Sequence, residues 1–224
     1  MDRDLEARMR AAERFHHLQL PEESWCIVRL DGRGFSRLGR TPFDDLFDPR
    51  LRDCLVAAAH ALVEQLQALF ACVQGDEISV LFGRRWRLFE RGLEKILSIS
   101  AGLASAECTR AAALSLHFDS RVWLGDSPAA VVDYFHWRQA LGCRTALQRW
   151  QQRPGSEPGA LPGWQRSGIG LVREQYRKTG WDPNRGQAVE TLRRRVRLLE
   201  PLPTGEEYTR LVTALLADDH QQGQ

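Results

Sequence analysis

The sequence predicts an α+β protein of the ferredoxin-like type, in which two β-α-β units share one antiparallel sheet. Strand-like and helix-like segments follow one another in the order β-α-β-β-α-β, and this order is the first observation that predicts the class. The second is the pair Gly75-Asp76 between the two middle strands, because a Gly-X pair favours a hairpin turn of type II′. Together they place the first strand beside the central hairpin.

The first strand and the first helix are predicted from an apolar run and a capping signal. Residues 23–31, ESWCIVRLD, form a short apolar run that is rich in β-forming residues, and they predict a buried strand. Residues 47–70 carry apolar side chains at helical spacing. Asp48 followed by Pro49 is the N-cap and first-turn signal of this helix.

Three further strands and two further helices complete the unit. Residues 71–82, ACVQGDEISVLF, predict the hairpin, and residues 84–106 predict a helix by the spacing of their apolar residues. Apolar residues alternate at the start of 113–124, which predicts the last strand. Ser127, followed by proline, opens a helix over 127–150.

The C-terminal part begins with the Pro- and Gly-rich segment QQRPGSEPGALPGW, which predicts a linker. Residues 167–176 and 187–200 predict a pair of strands, and 204–219 a closing helix. The sequence therefore predicts a main domain at 1–150. The remainder, 151–224, is predicted to be a linker followed by a basic β-hairpin and helix packed on that domain.

Composition indicates a soluble globular protein of the cytoplasm. Hydrophobic residues make up 43% and charged residues 27% of the chain, which are ordinary proportions for such a protein. No apolar run approaches the roughly 18 residues that would span a bilayer, so no membrane contact is expected. The five cysteines are scattered and never spaced as CxxC, which indicates reduced thiols rather than a disulfide framework or a zinc site.

Two acidic residues are predicted to converge at one edge of the sheet. Asp31 ends the first strand and Asp76 lies in the hairpin turn, and the ferredoxin-like order places these ends side by side. Hard divalent cations such as Mg²⁺ prefer carboxylate and carbonyl oxygens together with phosphate. Asp31, Asp76 and the carbonyl of Gly32 thus form a candidate site, where two ions would activate an attacking hydroxyl and steady a triphosphate.

Glycines beside these acids favour phosphate binding as well. Gly32 and Gly34 leave backbone amides open to phosphate oxygens. A simpler interpretation stays open, because an Asp-Gly pair after a strand is commonly a turn and an acidic hairpin tip is commonly solvated. Lys95 is open to both interpretations, as a contact to a triphosphate or as a solvated surface residue.

Arginines alternate along the second C-terminal strand. In TLRRRVRLL, Arg193, Arg195 and Arg197 would project from one face of the strand and Arg194 from the other. Three positive charges on one face predict contact with the phosphate backbone of a nucleic acid. A solvated edge strand protected by charge explains the same pattern.

Several of these segments resemble the tRNA-His guanylyltransferase family, in particular its bacterial and archaeal Thg-like branch of 3′-to-5′ RNA polymerases. VRLDGRGFSRL, PFD, QGDEISVLF, FERGLEKILS, FDSRV and FHWRQA occur here in the family's order, after LEARM near the N-terminus. The resemblance covers roughly residues 5–140, and LPGWQRSGIG extends it further. It implies a polymerase palm, the form in which nucleotide polymerases and cyclases use the ferredoxin-like fold.

The resemblance also implies roles for individual residues. Asp31 and Asp76, with the carbonyl of Gly32, match the family's magnesium ligands. Arg91 and Lys95 match basic residues on the helix that follows the hairpin, and these bind the nucleotide. The stretch that matches the family's nucleotide-triphosphate loop comprises Asp31, Gly32, Arg33, Gly34, Phe35 and Ser36.

The resemblance further implies an enzyme, a nucleotidyltransferase that uses ATP or GTP to activate a 5′-monophosphate on tRNA. The 3′-hydroxyl of an incoming nucleotide then attacks the activated 5′ end. Proteins of this family are commonly tetramers, so a homotetramer is expected. Three alternatives stay open: the tRNA-His guanylyltransferase proper, a non-catalytic member that only binds RNA or nucleotide, and a palm-type nucleotide cyclase or oligonucleotide synthetase.

Two departures from the family pattern bear on substrate choice. Gly75, within the matched nucleotide site, stands where the family usually has serine, and one hydroxyl contact to phosphate is lost. The segment between Ala140 and Leu161 lacks the family's asparagines and is shorter. Less surface is then left to recognise one particular tRNA, so base pairing with the opposite strand becomes the expected source of specificity. The sequence thus predicts templated repair of 5′-truncated tRNA.

Overall fold

The computed structural model describes residues 3–35, 43–157 and 159–221. No helix within these ranges combines the length and apolar composition needed to cross a bilayer. The elements, in chain order, are α1 (Arg3–Ala12), β1 (Trp25–Gly32), α2 (Pro49–Gln65), β2 (Phe70–Gln74), β3 (Glu77–Phe82), a 3-10 turn (Leu88–Arg91), α3 (Leu93–Ala112), β4 (Phe118–Gly125), α4 (Pro128–Gln152), α5 (Gly163–Ser167), β5 (Ile169–Asp182), β6 (Gln187–Leu199) and α6 (Gly205–Gln221).

Four strands have the predicted ferredoxin-like order. They lie in the sequence β4-β1-β3-β2, and each adjacent pair is antiparallel. In this order β1 and β2 are parallel with β3 between them, so α2 must cross the sheet to connect them, and α3 crosses in the same way from β3 to β4. The predicted α+β class and its βαββαβ order are therefore confirmed.

The C-terminal strands continue the same sheet. β5 pairs with β2 from Val73↔Ile169 to Phe70↔Val172, and β6 pairs with β5 along its whole length. Six strands of the described chain thus form one antiparallel sheet, in the order β4-β1-β3-β2-β5-β6. The predicted domain boundary after residue 150 falls just before the end of α4, and the part beyond it packs on the main domain through this sheet.

The core has one layer on each face of the sheet, as the alternation along β1 shows. Val28 and Leu30 point toward a cluster that includes buried residues of α2 and α3. Trp25 and Ile27 point toward a second cluster with buried residues of α4 and α6, among them Tyr208. Because side chains alternate along a strand, Asp31 shares the α4 face with Trp25 and Ile27.

Capping residues begin two helices at the predicted positions. Asp48 is the N-cap of α2, and its Oδ1 accepts a hydrogen bond of 2.8 Å from the backbone N–H of Arg50. Ser127 is the N-cap of α4 and accepts from the backbone N–H of Ala130. In both helices a proline follows at the first helical position, where its missing N–H has no intrahelical partner to lose.

The helix predicted over 84–106 is shifted toward the C-terminus. Phe89, Glu90 and Arg91 have positive φ angles of 57°, 53° and 59°, which no right-handed helix accommodates. α3 therefore begins at Leu93 and continues to Ala112. The start predicted for this helix is wrong because the local kink leaves no trace in the apolar spacing.

The strand predicted over 113–124 begins five residues later, at Phe118. Ala113, with φ 51°, ends α3 in the left-handed conformation. The backbone N–H of Leu116 then donates to the Oγ1 of Thr109, at 2.9 Å, instead of joining the sheet. The alternating apolar residues of this segment pack on the core as a loop.

The C-terminal hairpin is longer than predicted. β5 runs from Ile169 to Asp182, beyond the predicted end at residue 176, and pairs with β6 in register from Gly170↔Leu199 to Asp182↔Gln187. Its distal half is exposed on both faces, so no apolar alternation marks it in the sequence.

Candidate active site

Three acidic residues lie in a row across adjacent strands. In the antiparallel register Asp31 of β1 is directly opposite Glu77 of β3 on one side and Asp119 of β4 on the other. Directly opposite residues project from the same face of a sheet. Asp119 is bound by Arg121 on its own strand, at 2.8 Å.

The hairpin turn carries a fourth acidic residue to the same place. Gln74 and Glu77 are paired, so Gly75 and Asp76 form a two-residue loop, and Gly75 has a φ of +61°. A positive φ at the first loop residue alone is the sign pattern of the predicted type II′ turn. Asp31 and Asp76, predicted to converge, line one cavity.

This cavity has a volume of about 170 Å³ and lies between the strand ends, the segment before α2 and the C-terminal half of α4. It is referred to below as the acid cavity. Three acidic and two basic side chains line it besides apolar and polar groups. These five are Asp31, Asp76, Glu77, Arg138 and Arg149.

Asp31 and Asp76 are available for a ligand. Within the described ranges, neither carboxylate has an ion pair within 4 Å or a hydrogen bond from another side chain. Burial raises the pKa of the Asp76 carboxyl, its own backbone amide and the charge of Arg149 lower it, and the charge of Asp31 raises it further. Two half-buried acids that repel each other would gain from a cation between them.

Glu77 is neutralised by arginines instead. The Nε of Arg138 donates to its Oε1 at 2.8 Å, and a second bond from the Nη2 of Arg138 reaches its Oε2. Arg29 lies 3.8 Å away on the neighbouring strand. Burial raises the pKa of Glu77, while Arg138 and Arg29 lower it. Glu77 is thus held in an ionic network and does not face a ligand unpaired.

The oxygen donors fit a magnesium ion. No cluster of three or more His, Cys, Asp or Glu residues in the described part of the chain is arranged to hold a metal. Mg²⁺ is commonly held by one or two carboxylates, and substrate phosphates and water complete its six oxygens. Asp31 and Asp76 supply such a pair, and Gly32 follows Asp31 directly.

The glycine loop after β1 has a steric basis. A Cβ on Gly32 would lie 2.7 Å from Cγ of Phe35, and Gly34 has a φ of +77°. Phe35 is buried and packs edge-on against the ring of Phe118. Arg33 is exposed, and its backbone N–H donates to the carbonyl of His117. Ser36, also predicted for this loop, lies outside the described residues.

Arg91 and Lys95 lie away from the acid cavity. Arg91 is 2% exposed, and its guanidinium donates to four backbone carbonyls, those of Leu20, Ser24, Arg84 and Trp86. It lies in the turn before α3 rather than on the helix where it was expected. Lys95 is exposed and lines a separate cavity of about 350 Å³.

The arginines of β6 are arranged as the alternation predicts. Arg193, Arg195 and Arg197 project from one face and Arg194 from the other. The sequence pattern does not reveal Glu174 on β5, which binds both Arg195 and Arg197 at 2.6 Å. These two arginines lower the pKa of the Glu174 carboxyl.

Arg138 and Arg149 cannot be singled out from strand patterns, because they come from α4. The spacing along α4 could have indicated them, because four residues recur at intervals of three or four and so share one face of the helix. These residues, which all line the acid cavity, are Arg138, Gly142, Thr145 and Arg149. At Gly142 a Cβ would lie 2.4 Å from the side chain of Gln74, so any larger residue there would have to displace that side chain.

Comparison with known proteins relates this site to a family. The profile described as tRNAHis guanylyltransferase matches residues 6–133. A probable tRNA(His) guanylyltransferase of Drosophila melanogaster is 28% identical over 147 residues, which are 58% of this chain and 51% of that protein. The chain spans about half the length of the curated relatives it matches.

Two solved structures resemble the fold over nearly the whole chain. Both are of a bacterial tRNA(His) guanylyltransferase (Thg1)-like protein, one in complex with GTP and one in complex with ATP. Each is 25% identical and covers 95% of this chain and 99% of the solved chain. The TM-scores are 0.76 for the GTP complex and 0.74 for the ATP complex.

Proposed function

Because the chain belongs to the tRNAHis guanylyltransferase family, we propose that it is a magnesium-dependent nucleotidyltransferase that acts on the 5′ end of tRNA. The observation that carries this proposal is the pair Asp31 and Asp76. They come from elements far apart in the sequence, line one cavity and have no ion pair within the described ranges. Two unneutralised, half-buried acids are unfavourable for stability alone, so a functional role explains them best.

Each part of the acid cavity has a proposed role. Asp31, Asp76 and the carbonyl of Gly32 would hold two magnesium ions. When bound, Mg²⁺ lowers the pKa of an attacking hydroxyl and offsets the charge of a leaving pyrophosphate. The loop from Gly32 to Gly34 turns its backbone toward the nucleotide, which is ATP or GTP, as in the complexes of the bacterial relative. Glu77 and Arg138 hold the hairpin that bears Asp76.

The order of events follows the family resemblance. A triphosphate first activates the 5′-monophosphate of the tRNA, so that a nucleoside monophosphate is joined to it and pyrophosphate leaves. The 3′-hydroxyl of an incoming nucleotide then attacks the activated 5′ end and displaces that monophosphate. Growth is therefore 3′-to-5′. We further propose that the template strand selects the incoming nucleotide. α4 ends at Gln152 and the linker to α5 is short. This segment therefore offers little surface that could recognise one particular tRNA, and base pairing supplies the specificity instead.

Two regions outside the acid cavity have proposed roles in binding. The arginine face of β6, made of Arg193, Arg195 and Arg197, contacts tRNA phosphates. Lys95 contacts phosphate at its own exposed cavity. Arg91 is not assigned to the nucleotide, because its guanidinium already donates to four backbone carbonyls. A homotetramer stays a prediction, which sedimentation analysis would test.

The proposed activity can be tested with labelled ATP, magnesium and 5′-monophosphorylated, 5′-truncated tRNA. Adenylylated RNA is the expected product. A product formed from nucleotide alone would indicate a cyclase or oligonucleotide synthetase instead. Binding of RNA and ATP without any product would indicate a non-catalytic member.

A second experiment tests templating. The base opposite the missing nucleotide is varied, and the incorporated triphosphate is identified. We expect the incorporated nucleotide to follow the template on tRNAs of more than one identity. Incorporation of G whatever the template, and only on tRNA-His, would indicate the guanylyltransferase proper.

A further inference from the structure

Three arginines of α4 and its C-cap line the acid cavity or the cavity that adjoins it, and they differ in their partners. Arg138 is bound in two places to Glu77. Arg153 forms an ion pair of 3.0 Å with Asp45. Arg149 has no carboxylate within 4 Å in the described part of the chain and donates no hydrogen bond there.

The position of Arg149 is unusual among these three. It lines the acid cavity and also an adjoining cavity of about 370 Å³, which is formed by the loop after β1, the segment before α2 and the end of α4. It is therefore located where the two cavities meet. Its side chain is half-buried, so it is not simply a solvated surface residue.

Charge indicates what kind of group Arg149 would bind. The acid cavity is lined by three carboxylates, those of Asp31, Asp76 and Glu77, and by two guanidinium groups, those of Arg138 and Arg149. Arg138 is already neutralised by Glu77. Once cations occupy the two free carboxylates, Arg149 is left as an uncompensated positive group beside them. An anion with several oxygens would complete this arrangement, since the guanidinium fork pairs with two oxygens at once.

We propose that Arg149 binds a phosphate group that passes from the acid cavity into the adjoining cavity. This inference rests on the function proposed above, because that function brings two sources of phosphate to the acids. One is the polyphosphate of the nucleotide, and the other is the 5′-phosphate of the RNA. The helical spacing from Arg138 to Arg149 fixes the guanidinium on the cavity side of α4, whereas Arg144, on the same helix, is exposed and lines neither cavity.

Binding measurements at fixed salt and magnesium test this role. The proteins are the wild type, Arg149→Ala, Arg149→Lys and, as a matched control, Arg144→Ala, each checked for an unchanged denaturation midpoint. The ligands are ATP, AMP, 5′-phosphorylated RNA and 5′-hydroxyl RNA. A charge-assisted pair of hydrogen bonds predicts a loss of roughly tenfold or more on removal of Arg149.

The pattern of losses identifies the source of the phosphate. Weaker ATP binding with unchanged AMP binding assigns Arg149 to the polyphosphate. Weaker binding of 5′-phosphorylated RNA, with unchanged binding of 5′-hydroxyl RNA, assigns it to the RNA end. In either case Arg149→Lys should recover part of the loss, and Arg144→Ala should bind as the wild type does.

Two results would overturn the inference, and they are distinguishable. If the wild type binds ATP and phosphorylated RNA, and Arg149→Ala binds both equally well, Arg149 has no phosphate role while the proposed function is unaffected. If the wild type binds neither ligand, the proposed function is contradicted and the inference with it.

Discussion

The backbone N–H of Gly32 donates a hydrogen bond of 2.9 Å to the backbone carbonyl of Asp76. This bond joins the end of the first strand to the tip of the central hairpin. It therefore fixes the separation of the two segments that carry Asp31 and Asp76. The proposed magnesium site depends on this link between backbones as much as on the two carboxylates.

The glycine at position 32 should be sensitive to even one added methyl group. In Gly32→Ala the new Cβ would lie 2.7 Å from Phe35, whose ring is 1% exposed and packed on Phe118. We expect a loss of about 1–3 kcal/mol in the free energy of unfolding, as for other overpacked cores. Urea denaturation measures it.

Gly102→Ala is the matched control for this variant. Gly102 lies inside α3, and a Cβ there would meet nothing within 4 Å. Alanine is favoured over glycine in a helix by about 1 kcal/mol, so this variant should be more stable than the wild type. Equal stability of Gly32→Ala and the wild type would contradict the close approach to Phe35.

The cap of α2 should give a stability difference that depends on pH. Hydrogen bonds from Arg50 lower the pKa of Asp48 from 3.8 to about 2. Replacing an N-cap acid by alanine typically costs about 1 kcal/mol, so Asp48→Ala should be less stable than the wild type at pH 7. Because the folded pKa lies below the unfolded one, this contribution is complete above pH 3.8 and lost as the pH falls toward 2.

Denaturant titrations of the wild type and Asp48→Ala at pH 7 and pH 3 measure this dependence. The gap between the two proteins should narrow at the lower pH. Asp48→Asn, which keeps a capping oxygen without the charge, should lie between them at pH 7. A gap of the same size at both values of pH would show that the charge of Asp48 does not contribute.

The ion pair between Glu77 and Arg138 should be costly to break from one side. Both side chains are 14% exposed. Arg138→Ala would leave Glu77 with one cation, Arg29 at 3.8 Å, and the hydroxyl of Ser79, which donates to it at 3.4 Å. Removal of one partner of a largely buried pair costs about 3 kcal/mol. The free energy of unfolding of this variant is the measurement.

A double variant measures the coupling energy between Glu77 and Arg138. Glu77→Gln combined with Arg138→Ala removes the unpaired charge, so its total cost should be smaller than the sum of the two single costs, by about 1–3 kcal/mol. Simple additivity in this cycle would mean that the two groups are not coupled.

The arginine face of β6 should control the salt dependence of tRNA binding. Arg193 has no acidic partner among the described residues, whereas Arg195 and Arg197 share Glu174. Loss of one phosphate contact lowers the slope of log K against log salt by about one. Arg193→Ala should show this change, and Arg194→Ala, on the opposite face, should not.

Glu174→Gln tests the same surface with a variant that should strengthen tRNA binding instead of weakening it. It frees two arginines from a carboxylate, so tRNA should bind more tightly and with a steeper dependence on salt. If Arg193→Ala and Arg194→Ala have equal slopes and Glu174→Gln changes nothing, the arginines serve only to protect an edge strand.

Features of the chain that depend on neighbouring residues could be predicted from the sequence. The caps at Asp48 and Ser127 and the turn at Gly75-Asp76 are fixed by side chains within a few residues. The order of elements was then enough to predict that Asp31 and Asp76 lie at one edge of the sheet, because the split β-α-β topology leaves few ways to arrange four strands.

Features that depend on distant partners could not be predicted in this way. The guanidinium of Arg91 is buried and donates hydrogen bonds to backbone carbonyls that lie up to 71 residues away in sequence. Glu77 is neutralised by Arg138, which lies 61 residues along the chain. The sequence does not show whether a charged residue faces a ligand or another charged residue of the chain. Only the packing of α4 on the sheet shows that Arg138 is paired with Glu77 whereas Arg149 faces the cavity.

The most direct test of the proposed function is the rate of adenylyl transfer to 5′-monophosphorylated tRNA by Asp31→Asn and Asp76→Asn. Each change removes the charge of a proposed magnesium ligand and preserves shape, so both proteins should fold as the wild type does. The rate should fall by several orders of magnitude, which corresponds to the loss of several kcal/mol of electrostatic stabilisation. A wild-type rate in either variant would contradict the assignment of these two carboxylates to the metal.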